Sequence, residues 1–122
     1  MGKFVIKTMK NGEFTFSLKA TNGQEILAAG EGFKTLATCK NSIESVKKNA
    51  LAHVEDQTVE GFETLTHPKY EVYQDKAGEF RFRLKARNGQ IVGTSEGYTA
   101  KAGCLNGIES VKKNAVAEEI EG

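Results

Sequence analysis

The sequence predicts an α+β fold in which two tandem β-β-β-α-β repeats form one antiparallel sheet, with both helices on one face. Three observations lead to this prediction. An internal duplication sets the number of units, alternating apolar residues mark strands, and apolar residues spaced three and four apart mark one helix in each unit. At 122 residues the chain fits one domain, whereas half of it alone would bury only a marginal core.

The duplication is clearest in the helix. The eight residues from Ile43 to Ala50 return unchanged at 108–115. Upstream, the pattern Gly-Glu-Phe-x-Phe-x-Leu-Lys-Ala-x-Asn-Gly-Gln at 12–24 recurs at 78–90. We therefore predict a first repeat at residues 1–66 and a second at residues 67–122. Together they are expected to form one integrated pseudo-twofold domain, which is how a homodimer fused into a single chain would look.

Each repeat is predicted to contain three strands, a helix and a short final strand. In the first repeat the strands are placed at 3–9, 13–21, 24–31 and 53–59, with the helix at 35–50. In the second they are placed at 69–75, 79–87, 90–96 and 116–121, with the helix at 100–115. The apolar stripe of the first helix consists of Leu36, Cys39, Ile43, Val46 and Ala50.

The first hairpin of each repeat is predicted to turn through three residues, 10–12 and 76–78. A two-residue turn would bring charged side chains onto the apolar face, whereas a three-residue turn aligns Phe4 with Leu18. Ala77 favours the same choice, because a type I′ turn needs positive φ at both central positions and alanine resists it.

The second hairpin is predicted to differ between the repeats, because Glu25 has no counterpart in the second one. Keeping both Ile26 and Ile91 on the core face requires a longer turn or a bulge in the first repeat. Asn88-Gly89 in the second repeat is then expected to form a tight type I′ turn.

Composition argues against several classes of partner. The chain has 17 basic and 16 acidic residues, divided almost evenly between the repeats, so no overall field attracts nucleic acid or membranes. No apolar run is long enough to span a bilayer, and no leader resembles a signal peptide. We expect a cytoplasmic protein without membrane contact.

No catalytic or metal-binding pattern is present, so we expect no enzyme activity, no metal and no cofactor. Cys39, His53, His67 and Cys104 lie far apart, without the close pairing of zinc ligands. The two cysteines fall on apolar helix stripes and are expected to be buried, inert thiols. An enzyme would instead require a polar cleft at the seam between the repeats.

Basic residues form the most suggestive pattern in the sequence. The outward face of the second repeat's central strand is predicted to carry a candidate anion or nucleic-acid face, which consists of Tyr73, Arg81, Arg83, Lys85 and Arg87. Basic side chains beside an aromatic ring on an open sheet can hold single-stranded nucleic acid or another polyanion.

The alternative interpretation of this face is a ladder of charge pairs across neighbouring strands. The predicted register places Glu71 opposite Arg83 and Glu96 opposite Arg81, so half of the cations have a partner. In the first repeat the same register places Glu25 opposite Lys19.

The Lys-Lys pairs at the C-terminal ends of both helices are better explained by their interaction with the helix dipole than by a phosphate clamp.

The pattern Ser-Glu-Gly-Tyr-Thr-x-Lys-Ala-Gly-Cys-Leu-Asn-Gly-Ile-Glu-Ser-Val-Lys-Lys-Asn-Ala at 95–115, with a looser copy at 31–33 and 41–46, resembles the YegP-like family of small, mostly bacterial proteins. The resemblance implies a β3-αβ unit used twice, in one continuous sheet with exchanged C-terminal strands. It brings no activity, cofactor or catalytic residue. Ser42 stands where the second repeat has Gly107, which suggests that contacts there differ between the repeats.

These observations favour a small, non-catalytic binding or interaction module. Polyanion binding by the basic face is the alternative, and an enzyme with a site at the seam is the least favoured. We expect a monomer, because the duplication already supplies what a dimer would.

Overall fold

The computed structural model describes residues 2–29, 31–116 and 120–121. Each repeat supplies four strands and one helix, as predicted, with most elements somewhat shorter than expected. In chain order they are β1 (Lys3–Thr8), β2 (Phe14–Lys19), β3 (Glu25–Ala28), α1 (Leu36–Asn49), β4 (His53–Asp56), β5 (Lys69–Gln74), β6 (Phe80–Lys85), β7 (Ile91–Thr94), α2 (Lys101–Asn114) and β8 (Ile120–Glu121).

The strands form one sheet in the order β4-β5-β6-β7-β3-β2-β1-β8. The C-terminal strand of each repeat pairs with the other repeat, β4 with β5 and β8 with β1, which confirms the exchange that the family resemblance implied. At the centre β3 meets β7 through a single pair, Ala28 and Thr94. We call this junction the seam.

The sheet is antiparallel from β5 to β1, but both exchanged strands run parallel to their neighbours. This corrects the prediction that the sheet is antiparallel throughout. Because of the pseudo-twofold relation, β5 of the second repeat runs opposite to the equivalent strand β1 of the first. The exchanged strand β4 also runs opposite to β1, so it is parallel to β5.

The first hairpin of each repeat has the predicted turn and register. Phe4 pairs with Leu18 in the first repeat, and Tyr70 pairs with Leu84 in the second. The residue at the end of the first turn, Gly12, has a φ of 86°. Because side chains with a Cβ rarely adopt positive φ, glycine is the natural residue there.

The prediction for the second hairpin was right for the first repeat, which has a longer turn and a bulge, but wrong for the second repeat, where a tight type I′ turn was expected. Both repeats make the same three-residue turn, in which the Ala20 amide donates to Gln24 and the Ala86 amide donates to Gln90, each at 2.9 Å. In the part of the chain that the structure describes, positive φ occurs only at glycine, so the turn at Asn88 is not type I′.

Both repeats also carry a bulge after this turn, and Ile91 is 44% exposed rather than in the core. The extra residue of the first repeat lies instead between β3 and α1. Five steps separate Ala28 from Phe33 there, and four separate Thr94 from Tyr98. The Asn-Gly pair that both turns share gives the same turn, and the connection between β3 and α1 accommodates the extra residue.

A single core lies between the sheet and the two helices. The helices contribute Cys39, Ile43, Val46, Cys104, Ile108 and Val111. The sheet contributes alternate residues of its long strands, Phe4, Ile6, Phe16, Leu18, Tyr70, Val72, Phe82 and Leu84. Leu36, predicted to belong to the helix stripe, is 41% exposed because it stands at the first residue of α1.

Candidate functional site

The sheet face opposite the helices carries the predicted basic residues of β6. Because side chains alternate along a strand and Phe82 and Leu84 point into the core, Arg81, Arg83 and Lys85 point to the open face. Tyr73 of β5 lies beside them. The guanidinium carbon of Arg83 lies 4.5 Å from the centroid of the Tyr73 ring, a cation–π contact.

Carboxylates neutralise most of this face. Arg83 Nε lies 2.6 Å from Glu71 Oε1, which confirms the predicted pair, and Lys85 Nζ lies 3.4 Å from Glu71 Oε2. Arg81 Nε lies 2.6 Å from Asp75 Oδ2. The partner predicted for Arg81 was Glu96, but β7 ends before Glu96, whereas Asp75 follows β5 in the adjoining turn.

Arg87 does not continue the basic row, because β6 ends at Lys85 and the chain turns away. It lines a cavity of about 460 Å³ at the C-terminal end of α1. The residues around this cavity, which we call the Lys48–Arg87 cavity, are Ser45, Lys48, Asn49, Pro68, Ala86, Arg87 and Asn88.

Glu71 extends the ion pairs towards the exchanged strand. Lys69 Nζ lies 3.3 Å from Glu71 Oε2 and 2.7 Å from Oε1 of Glu55, which β4 brings from the first repeat. Glu55 also accepts hydrogen bonds from the Leu65 amide and from Gln57, at 2.7 and 2.6 Å. Glu55, Lys69 and Glu71 are all buried, so they form an ion network within the domain.

The pKa values of the network residues favour their charged forms. Burial alone would raise the pKa of Glu55, but hydrogen bonds from Lys69, Gln57 and the Leu65 amide outweigh it and lower that pKa to about 2. Burial opposes the charge on Lys69 too, yet its two carboxylate partners raise its pKa. Since these groups stay charged at neutral pH, the network is poorly suited to general acid–base catalysis.

The charge pair of Glu71 and Arg83 is not repeated in the first repeat. Val5 and Ser17 occupy the positions that correspond to Glu71 and Arg83. The buried Ser17 hydroxyl has no hydrogen-bond partner among the described residues. The sequence identified the pair of Glu71 and Arg83 from the register of one hairpin. It did not reveal Glu55, because strand exchange joins residues that no local periodicity connects.

A polar cleft lies on the open face beside the seam. Its volume is about 510 Å³, and its walls are formed by Glu31, Lys85, Gly89, Gln90, Ile91 and Thr94. Glu31 comes from the first repeat and the other five residues come from the second. We call it the seam cleft. Among the described residues that line it, none supplies a thiol or an imidazole.

The cysteines lie where the helix pattern predicts. Cys39 and Cys104 are free and fully buried, and burial raises the pKa of both thiols, that of Cys104 to about 11. Within residues 2–29 and 31–116, no three His, Cys, Asp or Glu side chains are grouped closely enough to hold a metal ion. Neither helix in the described ranges has the length and apolar character needed to cross a membrane.

Comparison with known proteins identifies relatives along the whole chain. A protein from Stutzerimonas stutzeri, "UPF0339 protein in ptx operon 5'region", is 46% identical over 93% of this chain and 89% of its own length. A UPF0339 protein from Treponema denticola is 62% identical over 47 residues, which are 38% of this chain but 81% of that protein. That relative is therefore about the length of one repeat.

A solved structure is similar as well. The solution NMR structure of the protein yegP from E. coli matches with a TM-score of 0.78 and 31% sequence identity, covering 98% of this chain and 90% of that one. The YegP-like resemblance and the fold class are thereby confirmed.

The family model described as "Domain of unknown function (DUF1508)" matches twice, at residues 10–56 and 75–121. That description names no catalytic activity. Each match begins after the first strand of its repeat and covers the other three strands and the helix. The chain belongs to the DUF1508 family as a tandem pair of its domains.

Proposed function

We propose that this chain is a non-catalytic binding module that takes its ligand in the seam cleft. The observation that carries the proposal is that both repeats contribute to the walls of the cleft, which exists only when the two units share a sheet. Its volume of about 510 Å³ falls within the range of small-molecule sites.

The lining suggests a ligand with little net charge. Lys85 and Glu31 offer one ammonium and one carboxylate, Gln90 and Thr94 offer neutral hydrogen-bonding groups, and the half-exposed Ile91 offers an apolar contact. A short peptide segment or a small zwitterion with an apolar group has this combination. The lack of a thiol or imidazole among the described lining residues supports binding without chemistry.

Substitution of Ile91 by Glu tests this proposal. Ile91 pairs with Lys85, whereas the first repeat pairs Glu25 with Lys19, so Ile91→Glu installs a residue that the fold already accepts at the equivalent place. A library of short, uncharged or zwitterionic peptides is titrated while amide NMR signals are followed. We expect shifts at Gly89 and Thr94 that disappear in Ile91→Glu.

Glu25→Ile is the matched control, because it makes the reverse change in the first repeat, outside the cleft lining. It should leave the peptide-induced shifts intact. If no peptide perturbs the cleft at millimolar concentration, or if the same shifts persist in Ile91→Glu, the proposed binding site is wrong.

Polyanion binding by the basic face is a second candidate. The observation in its favour is the contact of Arg83 with the ring of Tyr73, a geometry that also suits stacking of a nucleic-acid base. Binding of a labelled oligothymidine should then weaken steeply with salt and be lost when Arg81 and Arg83, which lie on this face, become Gln, with the fold checked by circular dichroism. Lack of binding at low salt would exclude this candidate.

We further propose that the protein works as a monomer in the cytoplasm, with repeats bounded at 1–66 and 67–122. Free, buried cysteines suit a reducing compartment. The exchanged strands support the monomer, because each repeat receives its missing strand from within the chain. Sedimentation at micromolar concentration measures the assembly state, and a dimer would contradict this part of the proposal.

A further inference from the structure

We propose that the Lys48–Arg87 cavity binds a small phosphorylated molecule, held by Lys48 and Arg87 through its phosphate. The cavity lies between the C-terminal end of α1 and the turn that joins β6 to β7. It is distinct from the seam cleft, with which it shares no lining residue.

Charge is the first argument. Arg81 and Arg83 both form ion pairs, but Arg87 forms none with any residue that the structure describes. The same holds for Lys48, because the neighbouring carboxylate of Glu44 pairs with Lys47 at 3.4 Å instead. None of the cavity's lining residues is acidic. The site therefore gathers two positive charges without compensation, in contrast to the face of β6.

Neutral donors add to this charge. Asn49 Nδ2 donates to the Ser45 carbonyl and lies 3.3 Å from Ser45 Oγ, so the Ser45 hydroxyl proton is available to another acceptor. Asn88 Oδ1 accepts from the Gln90 amide at 3.0 Å, which leaves its Nδ2 to donate. A guanidinium, an ammonium, a hydroxyl and an amide suit a phosphate with its several acceptor oxygens.

The helix end opposes an anion, because the last carbonyls of a helix carry partial negative charge. Two of these carbonyls are already satisfied. The Asn49 carbonyl accepts from the Ala52 amide at 3.0 Å, and the Ala50 carbonyl accepts from the Tyr70 hydroxyl at 2.7 Å. The remaining partial charge is smaller than the two full charges of Lys48 and Arg87.

The first repeat's sheet end and α2 lack this arrangement and provide a natural comparison. Lys113 occupies the position of Lys48, but Thr21 stands where the second repeat has Arg87. There the chain closes over the helix end, since a Cβ added at Gly2 would lie only 2.7 Å from Asn114 Oδ1. If the lysine at this position only stabilised the helix end, substitution of Lys48 and substitution of Lys113 would have the same effect on phosphate binding.

A volume of about 460 Å³ exceeds what inorganic phosphate needs, so the ligand carries an organic group. Because the Lys48–Arg87 cavity is confined to one end of the fold, it suits a small molecule better than an extended polymer.

The test uses the full chain with three probes: inorganic phosphate, glucose 6-phosphate as a representative phosphate monoester, and glucose. We expect calorimetry to detect both phosphates and not glucose. Arg87→Thr, which installs the residue of the first repeat, and Lys48→Gln should each weaken phosphate binding by about tenfold or more. Lys113→Gln is the matched control and should leave the affinity unchanged.

Two results would overturn the proposal: undetectable binding of either phosphate at millimolar concentration, or equal weakening by Lys48→Gln and Lys113→Gln. Ile91→Glu should not alter phosphate binding. The test is therefore independent of the function proposed for the seam cleft.

Discussion

At the scale of single residues, Tyr98 and Gly107 show how one contact differs between the repeats. A Cβ added at Gly107 would lie 2.5 Å from the Tyr98 hydroxyl oxygen and 3.1 Å from Phe82 Cε2. The first repeat has Phe33 and Ser42 at the equivalent places. Phe33, whose ring has no hydroxyl, is thus matched with Ser42 in the first repeat, whereas Tyr98 is matched with Gly107 in the second.

Gly107→Ser should therefore lower the free energy of unfolding, by about 1–3 kcal/mol for overpacking. Tyr98→Phe in the same chain should restore most of this loss, because the pair then matches the first repeat. Urea unfolding of the two single variants and the double variant measures the coupling. Ser42→Gly is the control and should cost only about 0.5 kcal/mol, the difference in helix propensity. Additive effects of Gly107→Ser and Tyr98→Phe would contradict this account.

At the scale of elements, the exchanged strand β4 is fixed by more than its backbone hydrogen bonds. Glu55 joins it to Lys69 of β5, and the Leu65 amide ties the connector between the repeats to the same carboxylate. The ion network therefore secures the point at which the chain passes from one repeat to the other. Removing one partner of a buried pair leaves the other charge without compensation, which usually costs several kcal/mol.

This network should make the domain sensitive to acid. The pKa of Glu55 falls from an ordinary value of about 4.3 in the unfolded chain to about 2 in the folded protein. A lowered pKa means that the stabilisation is complete above about pH 5 and is lost as the pH falls towards 2. The free energy of unfolding, measured by urea at pH 7 and pH 3, should decrease over this interval.

Glu55→Gln should be destabilised by about 3 kcal/mol at pH 7 and should lose less stability than the parent protein between pH 7 and pH 3. Glu44→Gln, which removes an exposed carboxylate paired with Lys47, should change stability by less than about 1 kcal/mol. An acid dependence that is the same in Glu55→Gln and in the parent would show that this carboxylate is not responsible.

The elements also show what the sequence can and cannot predict. The alternation of apolar residues and the length of the turn were sufficient to predict the register of the first hairpins, because a shift of one residue would expose every core side chain. They were insufficient for the second hairpin of the second repeat, where Ile91 resembles a core residue but lies just before a bulge and pairs with Lys85. The prediction also placed Arg87 on the open face of the sheet. The alternation of basic residues continues to Arg87 and does not reveal that β6 has ended at Lys85.

At the scale of the whole molecule, duplication permits asymmetry where the repeats meet. Leu27 and Gly93 occupy equivalent places in β3 and β7, and Leu27 packs so closely on Gly93 that a Cβ there would lie 2.7 Å from a Leu27 methyl carbon. In a symmetric dimer both positions would carry the same residue. A single chain can place a large side chain on one side of the seam and none on the other, which fills the space without overlap.

The shared sheet implies that neither repeat is stable alone. A fragment of residues 1–66 would contain β4 without β5, its neighbour in the sheet, and would expose Leu27, which is buried against Gly93 of the second repeat. Such a fragment has little core relative to its surface. We expect it to be unfolded or to associate with a second copy, with no cooperative transition as a monomer. Circular dichroism and sedimentation of the fragment measure both properties.

Mixing the fragment with residues 67–122 should restore the signal of the intact protein, because each fragment supplies the strand that the other lacks. The unmixed fragments at the same total concentration are the control. If residues 1–66 instead formed a folded monomer as stable as the full chain, β4 would have to find a partner within its own repeat. The exchange of strands would then not be what holds the two units together, and the seam cleft would lose its structural basis.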